Sequence, residues 1–104
     1  MKTKWTITIA LAAVLWGGTA GAQDAYPSRP IRILVPFSAG SLVDTIARMY
    51  GEKLGARIGQ PVVVENKVGS GGIIASQTLL AAPFDGYTFE MVSSSHAINA
   101  TLYP

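Results

Sequence analysis

The sequence contains no cysteine and a single histidine, His96, among its 104 residues. The lack of thiols excludes disulfides, thiolate metal ligands and cysteine nucleophiles. One histidine and scattered acidic residues do not form a cluster with the spacing of a known metal site. We therefore expect neither a metal nor a cofactor, in a chain whose composition suits an exported protein without disulfides.

Charged side chains are also scarce, at 13% of the residues. Two of the eight basic residues, Lys2 and Lys4, lie at the very start of the chain. The six basic residues that follow equal the six acidic ones, so the net charge after residue 22 is zero. No basic run alternates with aromatic residues, and nucleic acid is therefore not an expected partner.

The common motifs of nucleotide and hydrolase sites are missing as well. When G-x-G-x-x-G is counted from Gly69, its third glycine falls on Ile74, and no Walker sequence occurs. A G-x-S-x-G motif around Ser70 would need glycine where Val68 stands. These failures favour binding over catalysis, with a nucleotide-dependent α/β enzyme as the alternative.

Residues 1–22 have the layout of a secretory signal peptide. A short basic start is followed by an uncharged, mostly apolar segment from Trp5 to Trp16 and by the small residues Ala20-Gly21-Ala22. The apolar part is too short for a typical membrane span. We predict cleavage after Ala22 and a periplasmic location; the alternative is an uncleaved anchor.

Apolar patterning predicts a β-α-β-α-β order in residues 23–104. The predicted strands and helices are Ile31–Val35, Leu42–Ile58, Val62–Glu65, Ile73–Ala82 and Tyr87–Val92, with a third helix starting at Ala97. Ser41 is a suitable N-cap for the first helix, and Gly59 suits its end. Connections of helical length make the strands parallel, and the fold class is therefore α/β.

The three strand-to-helix loops should meet at one edge of this sheet. They comprise residues 36–41, 65–72 and 93–96. Ligands of open α/β sheets bind at the carboxyl ends of the strands, where these loops lie. The amides of Gly69-Ser70-Gly71-Gly72 offer several N–H donors to an anion, although a loop that only needs positive φ angles has the same composition.

Five blocks of the sequence, in order, resemble the Bug family of periplasmic solute-binding proteins, the receptors of tripartite tricarboxylate transporters. The blocks are Tyr26-Pro-Ser-Arg-Pro30, Val35-Pro-Phe-Ser-Ala-Gly-Ser-Leu-Val-Asp-Thr-Ile-Ala-Arg48, the stretch Glu65-Asn-Lys-Val-Gly-Ser-Gly-Gly-Ile-Ile-Ala75, Asp85-Gly-Tyr-Thr88 and Ser94-Ser-His-Ala-Ile-Asn99. The resemblance implies a type II periplasmic binding protein, in which two α/β domains close on a small ligand. That ligand is usually an organic acid, which is bound without being transformed and is passed to membrane transporter subunits.

Carried over by position, the resemblance implies a ligand site formed by three segments. Its residues would be Phe37, Ser38, Ala39, Gly40, Ser41, Asp44, Gly69, Ser70, Gly71, Gly72, Ser94, Ser95 and His96. We expect the N–H groups near Gly40–Ser41 and Gly69–Gly72 to hold a carboxylate. We also expect a branched side chain at Gly71 to enter the ligand's space.

Several positions depart from the family pattern. Ser41 and Ala75 replace family glycines, Phe84 changes the usual turn before Asp85, and Glu90 places an acid in a strand that is normally apolar. Family members also continue through a second domain. We therefore expect residues 23–104 to be the N-terminal part of the first domain of a longer protein, and a truncated remnant without a ligand is an alternative to the receptor.

Overall fold

The computed structural model describes residue 21 and residues 24–102. The predicted signal peptide, residues 1–22, lies outside the described residues except for Gly21, and its cleavage stays a prediction. Within the described part of the chain, no helix has the length and apolar character needed to cross a membrane.

Three parallel strands and three helices follow one another as the sequence predicts. They are β1 (Ile31–Val35), α1 (Leu42–Ile58), β2 (Val62–Asn66), α2 (Ile73–Ala81), β3 (Thr88–Glu90) and α3 (Ser94–Leu102), with a 3-10 turn at Ser70–Gly72 before α2. The strand order is β2-β1-β3, and both pairings are parallel. The predicted α/β fold with β-α-β-α-β order is therefore confirmed.

The third strand and the third helix differ from the prediction. Strand β3 covers Thr88–Glu90, which is shorter than the predicted Tyr87–Val92. Helix α3 begins at Ser94, three residues before the predicted start at Ala97. The His96 N–H group donates to Ser93 O at 3.0 Å and closes a turn at this point. Serine favours helix starts, so the serines belong to the beginning of α3 and do not form a separate loop.

The core lies on the two faces of β1. Ile33 and Val35 pack with Ala47 of α1, while Leu34 points to the opposite face of the sheet, because side chains alternate along a strand. Ala75 of α2 is fully buried too. Alanine at both helix contacts lets α1 and α2 approach the sheet closely. This thin core is expected of a domain segment of this size.

Glu90 has a polar partner in the structure. Its two carboxylate oxygens each accept from the Ser76 hydroxyl at 3.1 Å. The residue is partly buried on β3, which lies at one side of the described sheet and not at its centre. The hydrogen bonds offset part of the desolvation that an acid in a strand costs.

Candidate functional site

Two loops lie side by side at the carboxyl edge of the sheet. Loop A comprises residues 36–41 between β1 and α1, and loop B comprises residues 67–72 between β2 and α2. The Lys67 N–H group donates to Val35 O at 2.8 Å. A Cβ atom added to Gly72 would lie 3.5 Å from Pro36 Cβ, so the two loops are in contact. The predicted meeting of the first two loops is therefore confirmed.

Loop A leads directly into α1 through Ser41. The Ser41 hydroxyl accepts from the Asp44 N–H group at 3.2 Å, and the backbone of Ser41 is extended, with φ −65° and ψ 163°. This is the geometry of an N-cap, as predicted. At the other end, Gly59 has φ 73° and its N–H group donates to Gly55 O. The two capping residues thus fix where α1 begins and where it ends. The first turn of α1 lies next to loop A.

Asp44 is buried directly beneath loop A, with 2% of its surface exposed. Its Oδ2 atom accepts from Gly40 N at 2.9 Å and from Arg48 Nε at 3.0 Å. Its Oδ1 atom accepts from Asn66 Nδ2 at 2.8 Å. The hydrogen bond from Arg48, followed by those from Gly40 and Asn66, lowers the pKa of Asp44 to about 2. Asp44 is therefore ionised at neutral pH, and both oxygens are engaged within the protein. Direct ligand contact by Asp44 stays a prediction.

Asn66 connects β2 to loop A. Besides Asp44, its Nδ2 atom donates to Phe37 O at 2.9 Å. Its Oδ1 atom accepts from Arg48 Nη2 at 3.1 Å. Both donors and the acceptor of the amide are therefore in use, and the Phe37 carbonyl is turned toward β2.

Several amides of loop A already have acceptors inside the protein. The Ser41 N–H group donates to Ser38 O at 3.1 Å, and the Gly40 N–H group donates to Asp44. These two groups are engaged within the protein, and the expectation that N–H groups near Gly40–Ser41 hold a carboxylate stays a prediction. The N–H groups of Leu42 and Val43, in the first turn of α1, have no acceptor within the helix. We therefore expect the donors beside loop A to be the N–H groups of Leu42 and Val43, in the first turn of α1.

Loop B is shaped by backbone angles that glycine favours. The φ angles are 140° at Gly69, 64° at Gly71 and 100° at Gly72. Ser70, with φ 48°, is the one non-glycine residue with positive φ in the part of the chain that the structure describes. The Gly72 N–H group donates to Gly69 O at 3.0 Å and is not available to an anion. The glycines thus meet a backbone requirement, and the loop offers fewer donors than the sequence suggested.

Gly71 faces α3. A Cβ atom added to Gly71 would lie 3.4 Å from Asn99 Nδ2, and that amide donates to Gly71 O. A branched side chain at Gly71 would therefore meet Asn99, and the expectation that it enters the ligand's space stays a prediction. Gly40 is the better position for such a probe, because a Cβ atom there meets nothing within 4 Å.

The third predicted segment lies beside loop B. Ser94, Ser95 and His96 form the first turn of α3, and the Ser95 hydroxyl is 2.7 Å from that of Ser93. His96 lines a cavity of about 450 Å³ between α2 and α3, together with Gly72, Ser76 and Asn99, among others. The structure thus brings this segment to loop B, and its contact with a ligand stays a prediction.

Three residues whose side chains support loops A and B were not assigned a site role from the sequence. Arg48 is four residues after Asp44, a spacing that brings side chains together on a helix. Asn66 is a polar residue at the carboxyl end of a strand, where site residues gather. Asn99 carries no local signal, because its partner Gly71 lies 28 residues away. Among the described residues, no group of three or more metal-binding side chains is placed to hold an ion.

A sequence model described as the tripartite tricarboxylate transporter family receptor matches residues 46–104, which is more than half of the chain. The chain belongs to this receptor family. The match includes β2, loop B and α3, and it begins after loop A.

Two curated relatives extend the family likeness over loop A. A UPF0065 protein from the tcbD–tcbE intergenic region of Pseudomonas sp. strain P51 is 46% identical over 96 residues, covering 92% of this chain and 29% of the relative. BugT of Bordetella pertussis is 42% identical over 85 residues, covering 80% of this chain and 26% of BugT. The chain thus spans less than a third of the receptor-family relatives that it matches.

A solved structure of the family has the same fold. MatC from Rhodopseudomonas palustris, with bound malate, superposes with a TM-score of 0.68 at 33% identity, over 76% of this chain and 27% of MatC. The resemblance to the Bug and tricarboxylate receptors and the predicted fold class are therefore confirmed. The individual ligand contacts of this receptor-family chain stay predictions.

Proposed function

We propose that this chain is the N-terminal part of an extracytoplasmic solute-binding receptor for a small carboxylate-bearing acid. Residues 23–104 form the first part of its first α/β domain, after residues 1–22 have been removed during export to the periplasm. The acid is bound without being transformed and is delivered to the membrane subunits of a tripartite tricarboxylate-type transporter. One carboxylate lies at the edge formed by loops A and B.

The contact of loops A and B at one sheet edge carries this proposal. Helices α1 and α2 both begin there, and helix starts favour negative charge through their N–H groups and dipoles. Three acceptors near this edge are paired within the protein: Phe37 O is bound by Asn66, Gly71 O is bound by Asn99, and the Asp44 carboxylate is enclosed. An edge with exposed donors and engaged acceptors suits an anion.

The proposed contacts are mainly from the backbone. The proposed donors are the N–H groups of Leu42 and Val43 and those of residues 68–71 of loop B, with the serine hydroxyls of both loops beside them. Ser94, Ser95 and His96 lie on the far side of loop B and are suited to the remainder of the ligand. Amides recognise a carboxylate without distinguishing one acid from another. We therefore propose a ligand class and no single acid; the related MatC has bound malate.

Calorimetric titration of the purified chain tests the proposal. Malate, adipate and citrate are compared with malamide and adipamide, in which neutral amides replace the carboxylates. We expect binding of at least one acid and none of its amide. Equal heats from acid and amide would contradict the carboxylate assignment. NAD and ATP complete the panel, because tight binding of either would favour the nucleotide-dependent enzyme instead.

A pair of glycine substitutions locates the site. Gly40→Asn adds a side chain where a Cβ atom meets nothing within 4 Å, and asparagine tolerates the φ of 85° found there. Gly59→Asn is the matched control, since Gly59 has φ 73° and equally open surroundings at the opposite edge of the sheet. We expect malate affinity to fall about tenfold or more in the first variant, equivalent to about 1.4 kcal/mol, and to be unchanged in the second. Equal affinities would place the anion elsewhere.

A further inference from the structure

We infer that Asn66 and Asn99 are positioning residues of the anion site, each of which orients one carbonyl group of a neighbouring loop. Asn66 holds Phe37 O of loop A, and Asn99 holds Gly71 O of loop B. The inference rests on the proposed function, because it concerns how the loops present their N–H groups to a carboxylate. Neither residue needs to touch the ligand.

The Asn66 side chain is held on all sides. Its amide group donates to Phe37 O and to Asp44 Oδ1, and its carbonyl accepts from Arg48 Nη2. Asp44 in turn accepts from the Gly40 N–H group. Asn66 therefore links the first half of loop A, at Phe37, with the second half, at Gly40. A side chain with three fixed partners has one orientation, and so has the carbonyl that it binds.

Asn99 supplies the one side-chain hydrogen bond to a backbone atom of residues 69–71 found in the described part of the chain. Glycine adopts opposite backbone conformations with little difference in energy, so a glycine-rich turn does not by itself set the direction of its peptide groups. Gly71 has φ 64°, inside a turn that also contains Gly69 and Gly72. Asn99 approaches from α3 and holds the carbonyl group of Gly71 through its side-chain amide.

Carbonyl direction matters because the peptide unit is planar and trans. Its C=O and N–H groups point in opposite directions, so a fixed carbonyl also fixes the N–H group of the next residue. The Phe37 carbonyl is held toward β2, and the Ser38 N–H group of the same peptide points away from β2. A carbonyl rotated toward the bound anion would repel it and would remove a donor at the same time. Asn66 and Asn99 prevent this rotation in loop A and loop B respectively.

The two asparagines make separable predictions for the two loops. We expect Asn66→Ala to increase amide hydrogen exchange in loop A and Asn99→Ala to increase it in loop B, while β1 keeps its protection. Each variant should bind malate roughly threefold to tenfold more weakly, because each releases one loop carbonyl from a neutral hydrogen bond. Gln60→Ala is the control, because Gln60 precedes β2 at the amino edge of the sheet. It should change neither measurement.

A rescue experiment separates positioning from general stability. In Asn99→Asp the ionised carboxylate cannot donate to Gly71 O, whereas the protonated carboxyl group can. Malate affinity relative to wild type, measured at the same pH, should therefore recover as the pH falls from 7 toward 4. Asn99→Ala, which has no donor at any pH, should show a constant ratio.

Three results would overturn the inference. They are unchanged malate affinity in both alanine variants, loss of β1 protection in parallel with the loops, and no recovery of Asn99→Asp relative to Asn99→Ala. A wild-type chain that binds no acid contradicts the proposed function instead. In that case, hydrogen exchange still decides whether Asn66 holds loop A and whether Asn99 holds loop B.

Discussion

Loop A and loop B lie together at one sheet edge but are held in different ways. Loop A is fixed by side chains: Asp44 and Asn66 bind its backbone, and Arg48 binds both of them. Loop B depends mainly on backbone angles that glycine adopts at three of its positions, and Asn99 holds the carbonyl group of Gly71. A loop held by side chains is sensitive to their charge and hydrogen bonding, whereas a loop held by backbone angles is sensitive to any added Cβ atom.

The largest effect should come from adding a Cβ atom to loop B. Gly69 has φ 140° and ψ 153°, a conformation open almost only to glycine, and a Cβ atom there would lie 2.4 Å from Ile74 Cδ1. We expect Gly69→Ala to lower the free energy of unfolding by about 3 kcal/mol, the upper end of the range for such strain. Chemical denaturation measures the change. Gly59→Ala, with φ 73° and open surroundings, is the control and should lose about 1–2 kcal/mol; equal losses would contradict the comparison.

The next effect is specific to loop A and depends on pH. The pKa of Asp44 is lowered from 3.8 to about 2, first by Arg48 and then by the Gly40 N–H group and Asn66. A lowered pKa means that the folded state favours the ionised form. The resulting stability is complete above the unfolded pKa and is lost as the pH falls from about 4 to about 2. Denaturation of wild type and Asp44→Asn across this range should show a smaller loss in the variant. Parallel curves would mean that Asp44 does not hold loop A by its charge.

Ser41 offers a finer test of the start of α1. Ser41→Ala removes the hydroxyl that accepts from the Asp44 N–H group, and we expect a loss of about 1 kcal/mol in the free energy of unfolding. Ser41→Gly, which restores the glycine usual in the family, should lose only a few tenths of a kcal/mol. Malate affinity of the glycine variant should be unchanged or improved. A larger loss for glycine than for alanine would show that the N-cap does not set this turn.

The smallest effect should come from Arg48. Its side chain is about half exposed and binds both Asp44 and Asn66 through different nitrogen atoms. Lysine has one nitrogen and cannot reproduce both bonds. We expect Arg48→Lys to lower the free energy of unfolding by about 0.5 kcal/mol, since lysine keeps a positive charge beside Asp44 and one hydrogen bond, to Asn66, is lost. A loss as large as that of Gly69→Ala would show that Arg48 dominates the network of loop A.

The parts of the structure that were predictable from sequence depend on neighbours along the chain. The strands follow from short apolar runs, α1 follows from its apolar spacing, and its ends follow from Ser41 and Gly59. The start of α3 was placed too late, because Ser94 and Ser95 suit both a loop and the first turn of a helix. Local sequence does not distinguish a loop from a helix at these serines. The hydrogen bond from His96 N–H to Ser93 O, which closes a turn there, does distinguish them.

The candidate site was predictable as an edge but not in its internal contacts. The positions of loops A and B follow from the parallel sheet, whereas the pairing of Asn66 with Phe37 joins residues 29 positions apart. The amides of Gly40, Ser41 and Gly72 were expected to face an anion, but each has an acceptor inside the protein. Composition shows how many donors a loop has, and only the fold shows which of them are already used.

The central position of β1 has a consequence for the order of folding. Ile31 pairs with Val62 on one side and Arg32 pairs with Thr88 on the other, so both pairings join residues far apart in the chain. Contacts of this kind require closure of long chain segments before they stabilise anything, and proteins rich in them fold more slowly than helical proteins of similar size. Although β1 is made first, it is fully paired only after β3 has been added. Loop B takes its final form later still, because the partner of its Gly71 carbonyl, Asn99, lies on α3.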